Sequence, residues 1–89
     1  MQKVFNVYND PGHGWGRVPR ALLAELGIDG EISSYSYQRG QYVYLEEDCD
    51  LSKFMIAFYG RYGMRPQFRD HHTNRESKIR GYDNYRKPI

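Results

Sequence analysis

Three groups of residues in this 89-residue chain have types and spacings suited to chemistry. The first is Asp10-Pro11-Gly12-His13-Gly14-Trp15-Gly16-Arg17. Its alternating glycines permit positive φ and close approach of a ligand. Successive N–H groups in such a loop would form an anion nest, and a helix starting just after it would add positive potential. His13 sits inside the loop, Arg17 and Arg20 stand beside it to meet phosphate, and Trp15 is placed to stack on a base. The Lys-Ser/Thr pair of a Walker loop is missing, and the glycine spacing differs from the dinucleotide fingerprint. A structural turn with Trp15 anchored in the core accounts for the same residues.

The second group is Tyr35, Tyr37, Tyr42 and Tyr44. With Arg39-Gly40 as the turn of a hairpin, Tyr37 faces Tyr42 and Tyr35 faces Tyr44, and all four rings share one face. Either a helix covers that face, or it is a plate for stacking bases or sealing a dimer. Stacking on aromatic side chains is worth about 1–3 kcal/mol per base. The signatures of the RNA-recognition motif are absent, which weighs against specific RNA binding.

The third group runs from Arg69 to Arg80. His72, Asn74, Arg75, Lys78 and Arg80 could form an anion site. Metal binding by His71 and His72 is disfavoured, because neighbours on a strand point to opposite faces and no Cys or Glu stands at zinc spacing. No metal and no cofactor is therefore expected. His71-His72-Thr73 supplies one His-x-Thr where two-histidine phosphoesterases need two, so a phosphoester hydrolase is a minor reading and a non-enzymatic protein the main one. The lone Cys49 lies among acids, which would raise its thiol pKa and disfavour a nucleophile.

The elements that must position these groups can be read from periodicity. Lys3 to Tyr8 alternates and is rich in β-formers, so it predicts a strand, ended by the turn residues Asn9 to Gly12. Val18 to Leu26 predicts a short helix with Pro19 in its first turn and Gly27 as its stop. Ile32–Gln38 and Gln41–Glu46 predict the hairpin. Leu51, Phe54, Met55, Phe58, Tyr59 and Tyr62 recur at helical spacing, with acidic residues before them to cap the helix and Gly63 to end it. Gln67 to His72 predicts a fourth strand. Thr73-Asn74-Arg75-Glu76 fits a capping box for a short helix from Arg75 to about Tyr82.

This order, β-α-β-β-α-β plus a C-terminal helix, predicts an α+β fold: a small sandwich of a mostly antiparallel four-stranded sheet with two helices. One domain over residues 1–89 fits the length, with residues 65–89 as a basic segment within it. Residues 1–64 carry six Lys or Arg against eight Asp or Glu, and residues 65–89 carry seven against three, so the net charge of +2 conceals an acidic body and a basic last quarter. Val, Ile, Leu and Phe total only 18 of 89 residues, so the nine tyrosines must either fill the core or form a surface. The chain has no long apolar run, which predicts neither a membrane span nor a secretory leader. A single cysteine predicts no internal disulfide and a reducing, cytoplasmic setting.

Tyr-Asn-Asp-Pro-Gly-His-Gly-Trp (8–15), Val-Pro-Arg (18–20), Ile-Ser-Ser-Tyr-Ser-Tyr (32–37), Tyr-Val-Tyr-Leu-Glu-Glu-Asp-Cys-Asp (42–50) and His-Thr-Asn-Arg (72–75) resemble small accessory proteins of tailed bacteriophages. The resemblance spans nearly the whole chain. It implies a counter-defence role in the bacterial host cytoplasm, either sequestering a nucleotide immune signal or blocking a host defence protein. It brings no residue assignments. The residues alone favour binding of a small anionic, nucleotide-like ligand, with the site near a subunit interface of a homo-oligomer, since a chain this short encloses a ligand most easily by self-association. Anti-CRISPR-like inhibition of a host protein is the alternative. Direct nucleic-acid binding would be weak at a net charge of +2.

Overall fold

A computed structural model describes residues 2–88. The strands are β1 (Val4–Asn9), β2 (Gly14–Pro19), β3 (Tyr37–Arg39), β4 (Tyr42–Glu46), β5 (Gln67–His72) and β6 (Asp83–Asn84). The helices are α1 (Arg20–Glu25) and α2 (Asp50–Tyr62), with a 3-10 turn over Lys78–Gly81. The fold is α+β, as expected, but the sheet is larger and mixed. Six strands run in the order β5-β1-β2-β4-β3-β6, and β5 pairs parallel to β1 while the other pairs are antiparallel.

The glycine-rich segment accounts for one added strand. Gly14, Trp15, Gly16 and Arg17 form an extended strand at the centre of the sheet, where a loop was expected. Gly12, Gly14 and Gly16 are not among the positive-φ residues, so no anion nest forms there. Gly16 is needed for packing. A Cβ on it would lie 2.6 Å from Leu51 Cδ1, on the face where α2 crosses the sheet.

Alternation sorts the side chains. Phe5, Val18, Val43 and Leu45 point to the helical face and pack with Leu23, Phe54 and Phe58. Phe5 meets Phe54 and Phe58 edge-on, at ring distances of 5.1 and 5.8 Å. Helix α2 carries the chain from β4 to β5 across this face and stops at Gly63, which has φ +70°. Its start differs from expectation. Cys49 is the N-cap and makes no side-chain capping bond. Asp50 turns inward instead, fully buried, and accepts hydrogen bonds from Ser33 N, Ser33 Oγ and Ser36 Oγ, the last at 2.5 Å. Helix α1 starts at Arg20, with Pro19 flanking it as the last residue of β2.

The hairpin has shifted register. Tyr37 pairs with Tyr44 and Arg39 with Tyr42, so Gly40-Gln41 forms the turn, with Gly40 at φ +58°. Glycine in the first position of a two-residue loop supplies the left-handed conformation such turns require. Moving the turn by one residue changes each partner by two, a full pleat period, so Tyr37, Tyr42 and Tyr44 keep their common face. Tyr35 lies in a turn before β3, 74% exposed.

That face looks away from the helices, so neither helix covers the tyrosines. The chain's own C-terminal segment crosses part of it. Ile79 is buried there against Trp15 and Tyr44, with Tyr8, Tyr37 and Tyr82 packed around them. The expected helix from Arg75 to Tyr82 is only the 3-10 turn. Ser77 is its cap, its Oγ accepting from Ile79 N at 3.2 Å, and Thr73 Oγ1 instead accepts from Arg75 N. Beyond the turn, β6 pairs with β3, and buried Tyr85 donates its hydroxyl to Asp29 O at 2.5 Å. The basic last quarter is therefore integrated into the fold. Among the described residues no helix is long and apolar enough to cross a membrane.

Candidate functional site

An ion pair helps to fasten the C-terminal segment across the open sheet face. Arg80 donates Nε and Nη2 to the two carboxylate oxygens of Asp10, at 2.7 and 2.9 Å. The Asp10 side chain is 1% exposed. It also accepts from Ser77 N at 2.9 Å, and from Gly12 N and His13 N within its own turn. The Arg80 guanidinium holds the Asp10 carboxyl well below the usual carboxylate range, with the backbone N–H of Ser77 next in effect. Arg80 also lies over the Trp15 ring, 5.1 Å from its centroid.

The fastened segment leaves a cleft on each side. One, of about 370 Å³, is lined by His13, Trp15, Tyr35, Tyr37 and Arg80, together with Glu46, Asp48 and Cys49. The other, of about 380 Å³, is lined by Tyr8, Asn9, His71, His72, Thr73, Arg75, Glu76, Ser77 and Lys78. The residues expected to form one site are thus divided between two. His13, Trp15, Tyr35, Tyr37 and Arg80 gather in the first cleft, and His72, Arg75 and Lys78 in the second.

Arg17, Tyr42 and Tyr44 belong to neither cleft. Arg17 lies 4.6 Å from the Tyr42 ring centroid and 5.9 Å from that of Tyr8. Tyr44 is buried beneath Tyr82, at a ring distance of 5.1 Å. Burial, reinforced by Tyr82, raises its phenol pKa, which keeps the hydroxyl neutral. Arg20 serves the hairpin, donating to Gln38 Oε1 and Gly40 O at 3.3 and 3.0 Å. Asn74 is exposed and lines neither cleft.

The clefts differ electrostatically. In the first, the charge of Arg80 is already neutralised by Asp10, and Glu46 and Asp48 add two carboxylates. That arrangement repels phosphate. In the second, Arg75 and Lys78 face a single acid, Glu76. Its aromatic wall is a stacked pair, the rings of Tyr8 and His71 lying 5.1 Å apart at 19°. His71 Nε2 hydrogen-bonds Asn6 Oδ1 at 3.0 Å, which fixes the ring. The parallel pairing of β1 with β5 sets Tyr8 opposite His71.

Sequence reasoning missed Tyr8 and His71 as site residues. Both stood in segments recognised as strands, but the parallel pairing that stacks them joins residues 63 positions apart, with no local signal. Asp10 was seen only as a turn residue, and Glu46 and Asp48 only as helix-capping acids. No family model matches the sequence, and no curated protein or solved structure is significantly similar to it.

Proposed function

We propose that this protein is a non-enzymatic binding protein for an anionic, base-containing ligand of nucleotide type. One observation carries the reading: the stacked Tyr8–His71 pair stands in the same cleft as Arg75, Lys78 and His72. A base would stack on the aromatic pair, and the phosphate would meet Arg75, bidentately, and Lys78. Arg17, beside Tyr8, would receive a second phosphate or a longer strand. This choice of cleft removes His13, Trp15, Tyr35, Tyr37 and Arg80 from the ligand set, because their cleft carries the carboxylates of Glu46 and Asp48 while Arg80 is already paired with Asp10.

The resemblance to tailed-phage accessory proteins makes an immune-signal nucleotide in the host cytoplasm the first class to test. Calorimetry against a panel of cyclic mononucleotides and dinucleotides should give a Kd below ~1 mM for at least one. Arg75→Ala should weaken it about tenfold or more, the worth of one charge-assisted contact. Tyr8→Ala should cost about 1–3 kcal/mol of binding. Absence of binding across the panel refutes the reading.

A separate observation favours a second reading, a protein partner. Met55, Ile56 and Tyr59 form an exposed apolar row on α2 beside Arg65, and Ile56 is 74% exposed. Such a row would serve as a hot spot against a host defence protein or a second copy of the chain. Recovery of a stoichiometric host protein by the wild type, and not by Ile56→Asp, would support it. Native mass spectrometry separates that case from self-association.

A further inference from the structure

The cleft that repels phosphate has the composition of a cation site. His13 ends the Asp10 turn, and Glu46 ends β4. The antiparallel pairing of Trp15 with Glu46 draws these two segments together. His13 Nδ1 and Glu46 Oε1 lie 3.7 Å apart, and the donor atoms of His13, Glu46 and Asp48 all lie within 4.8 Å of one another. A cation about 2.0–2.2 Å from each ligand, in tetrahedral geometry, needs donors roughly 3.4 Å apart. The His13–Glu46 spacing nearly meets that. Asp48 is exposed, and its carboxylate makes no hydrogen bond or ion pair among the described residues.

The surroundings point the same way. The Glu46 side chain is only 12% exposed, yet the hydrogen bond found on its carboxylate comes from Asp48 N, on Oε2. The backbone of His13 is held in place, its N–H donating to Asp10 Oδ1 and its carbonyl accepting from Asp10 N, both at 2.9 Å. Arg80, the nearby cation, is committed to Asp10. The cleft also contains Trp15, 2% exposed, whose Nε1–H has no acceptor among the described residues. A buried donor of this kind ordinarily has an acceptor, a role open to a water or oxygen ligand completing the coordination of a cation in the cleft.

We propose that His13, Glu46 and Asp48 bind one divalent transition-metal cation, Zn²⁺ or Mn²⁺. One imidazole and two carboxylates suit such a cation, and three protein ligands leave a coordination position open to water or to an oxygen ligand in the cleft. This site is independent of the nucleotide reading and stands if that reading fails.

The test is titration of the full chain with Zn²⁺ and with Mn²⁺, followed by calorimetry and by the fluorescence of Trp15, the one tryptophan, whose ring lies 6.1 Å from that of His13. One equivalent should bind and change the emission, with Mn²⁺ quenching it. Loss of residues that merely orient a ligand costs about 10–100-fold in metal affinity, so His13→Ala and Asp48→Asn should each cost about tenfold or more. Both positions are exposed, and an unchanged far-UV spectrum would confirm that the variants fold. Asp70→Asn, at an exposed carboxylate that lines neither cleft, should leave affinity unchanged. Affinity unchanged by His13→Ala, binding abolished by Asp70→Asn, or no binding below ~1 mM metal would each overturn the proposal.

Discussion

Two buried aspartates do much of the structural work at the scale of single residues. Asp50 is fully buried. Burial alone would raise its pKa, but hydrogen bonds from Ser33 and Ser36, with Lys53 Nζ at 3.3 Å, outweigh it and hold the carboxyl below its ordinary value. Asp10 is held down by Arg80. In acid, therefore, the folded chain binds fewer protons at these sites than the unfolded chain, whose aspartates titrate near about 3.9. Their contribution to stability is complete above about pH 5 and is lost as the pH falls below that. Denaturation midpoints should be level from about pH 7 to 5 and then decline. Asp50→Ala, which leaves the buried Ser36 O–H and the Ser33 N–H and O–H without their acceptor, should cost about 3 kcal/mol or more in urea unfolding. A loss well under 1 kcal/mol would show that these hydrogen bonds contribute little.

At the scale of elements, the decisive fit is between β2 and α2. Helix α2 can lie close to the sheet because Gly16 presents no side chain to Leu51. Gly16→Ala should destabilise by about 1–3 kcal/mol, as overpacking does. Gly14→Ala should cost less, although a Cβ there would lie 2.3 Å from Asn9 Oδ1 and 2.9 Å from Glu47 Oε2. Those atoms are tips of polar side chains that can swing away, whereas Leu51 is packed against the core. Thermal melts of the two variants compare them directly. Equal losses would mean that Gly16 is not the tight point.

At the scale of the whole molecule, residues 78–88 complete the fold. They cover Trp15 and Tyr44 with Ile79, add β6 at one sheet edge, and place Tyr85 in the main core. A chain ending at Ser77 loses these contacts together with the Asp10–Arg80 pair. It should show red-shifted Trp15 emission and no cooperative melt. A cooperative transition near that of the full chain would mean that the body folds without this segment. The same crossing produces the two clefts and separates their charge, so the basic quarter and the acidic body meet within one face rather than at opposite ends.

Several features were legible from residue order. The apolar spacing from Leu51 to Tyr62 marked α2, Gly63 its stop, and the alternation of Lys3 to Tyr8 most of β1. The common face of Tyr37, Tyr42 and Tyr44 followed from the pleat and survived a register different from the one expected. These features are local: periodicity and turn chemistry act over a few residues, and so can be read along the chain. Three others are not local. Gly14 to Arg17 became a central strand because two neighbouring strands supply its hydrogen bonds. Asp10 met Arg80 across 70 positions. The proposed site residues separated into an anionic and a cationic cleft because the C-terminal segment crosses the sheet between them. Only tertiary structure decides such matters, because hydrogen-bond pairing and charge compensation depend on which distant segments become neighbours.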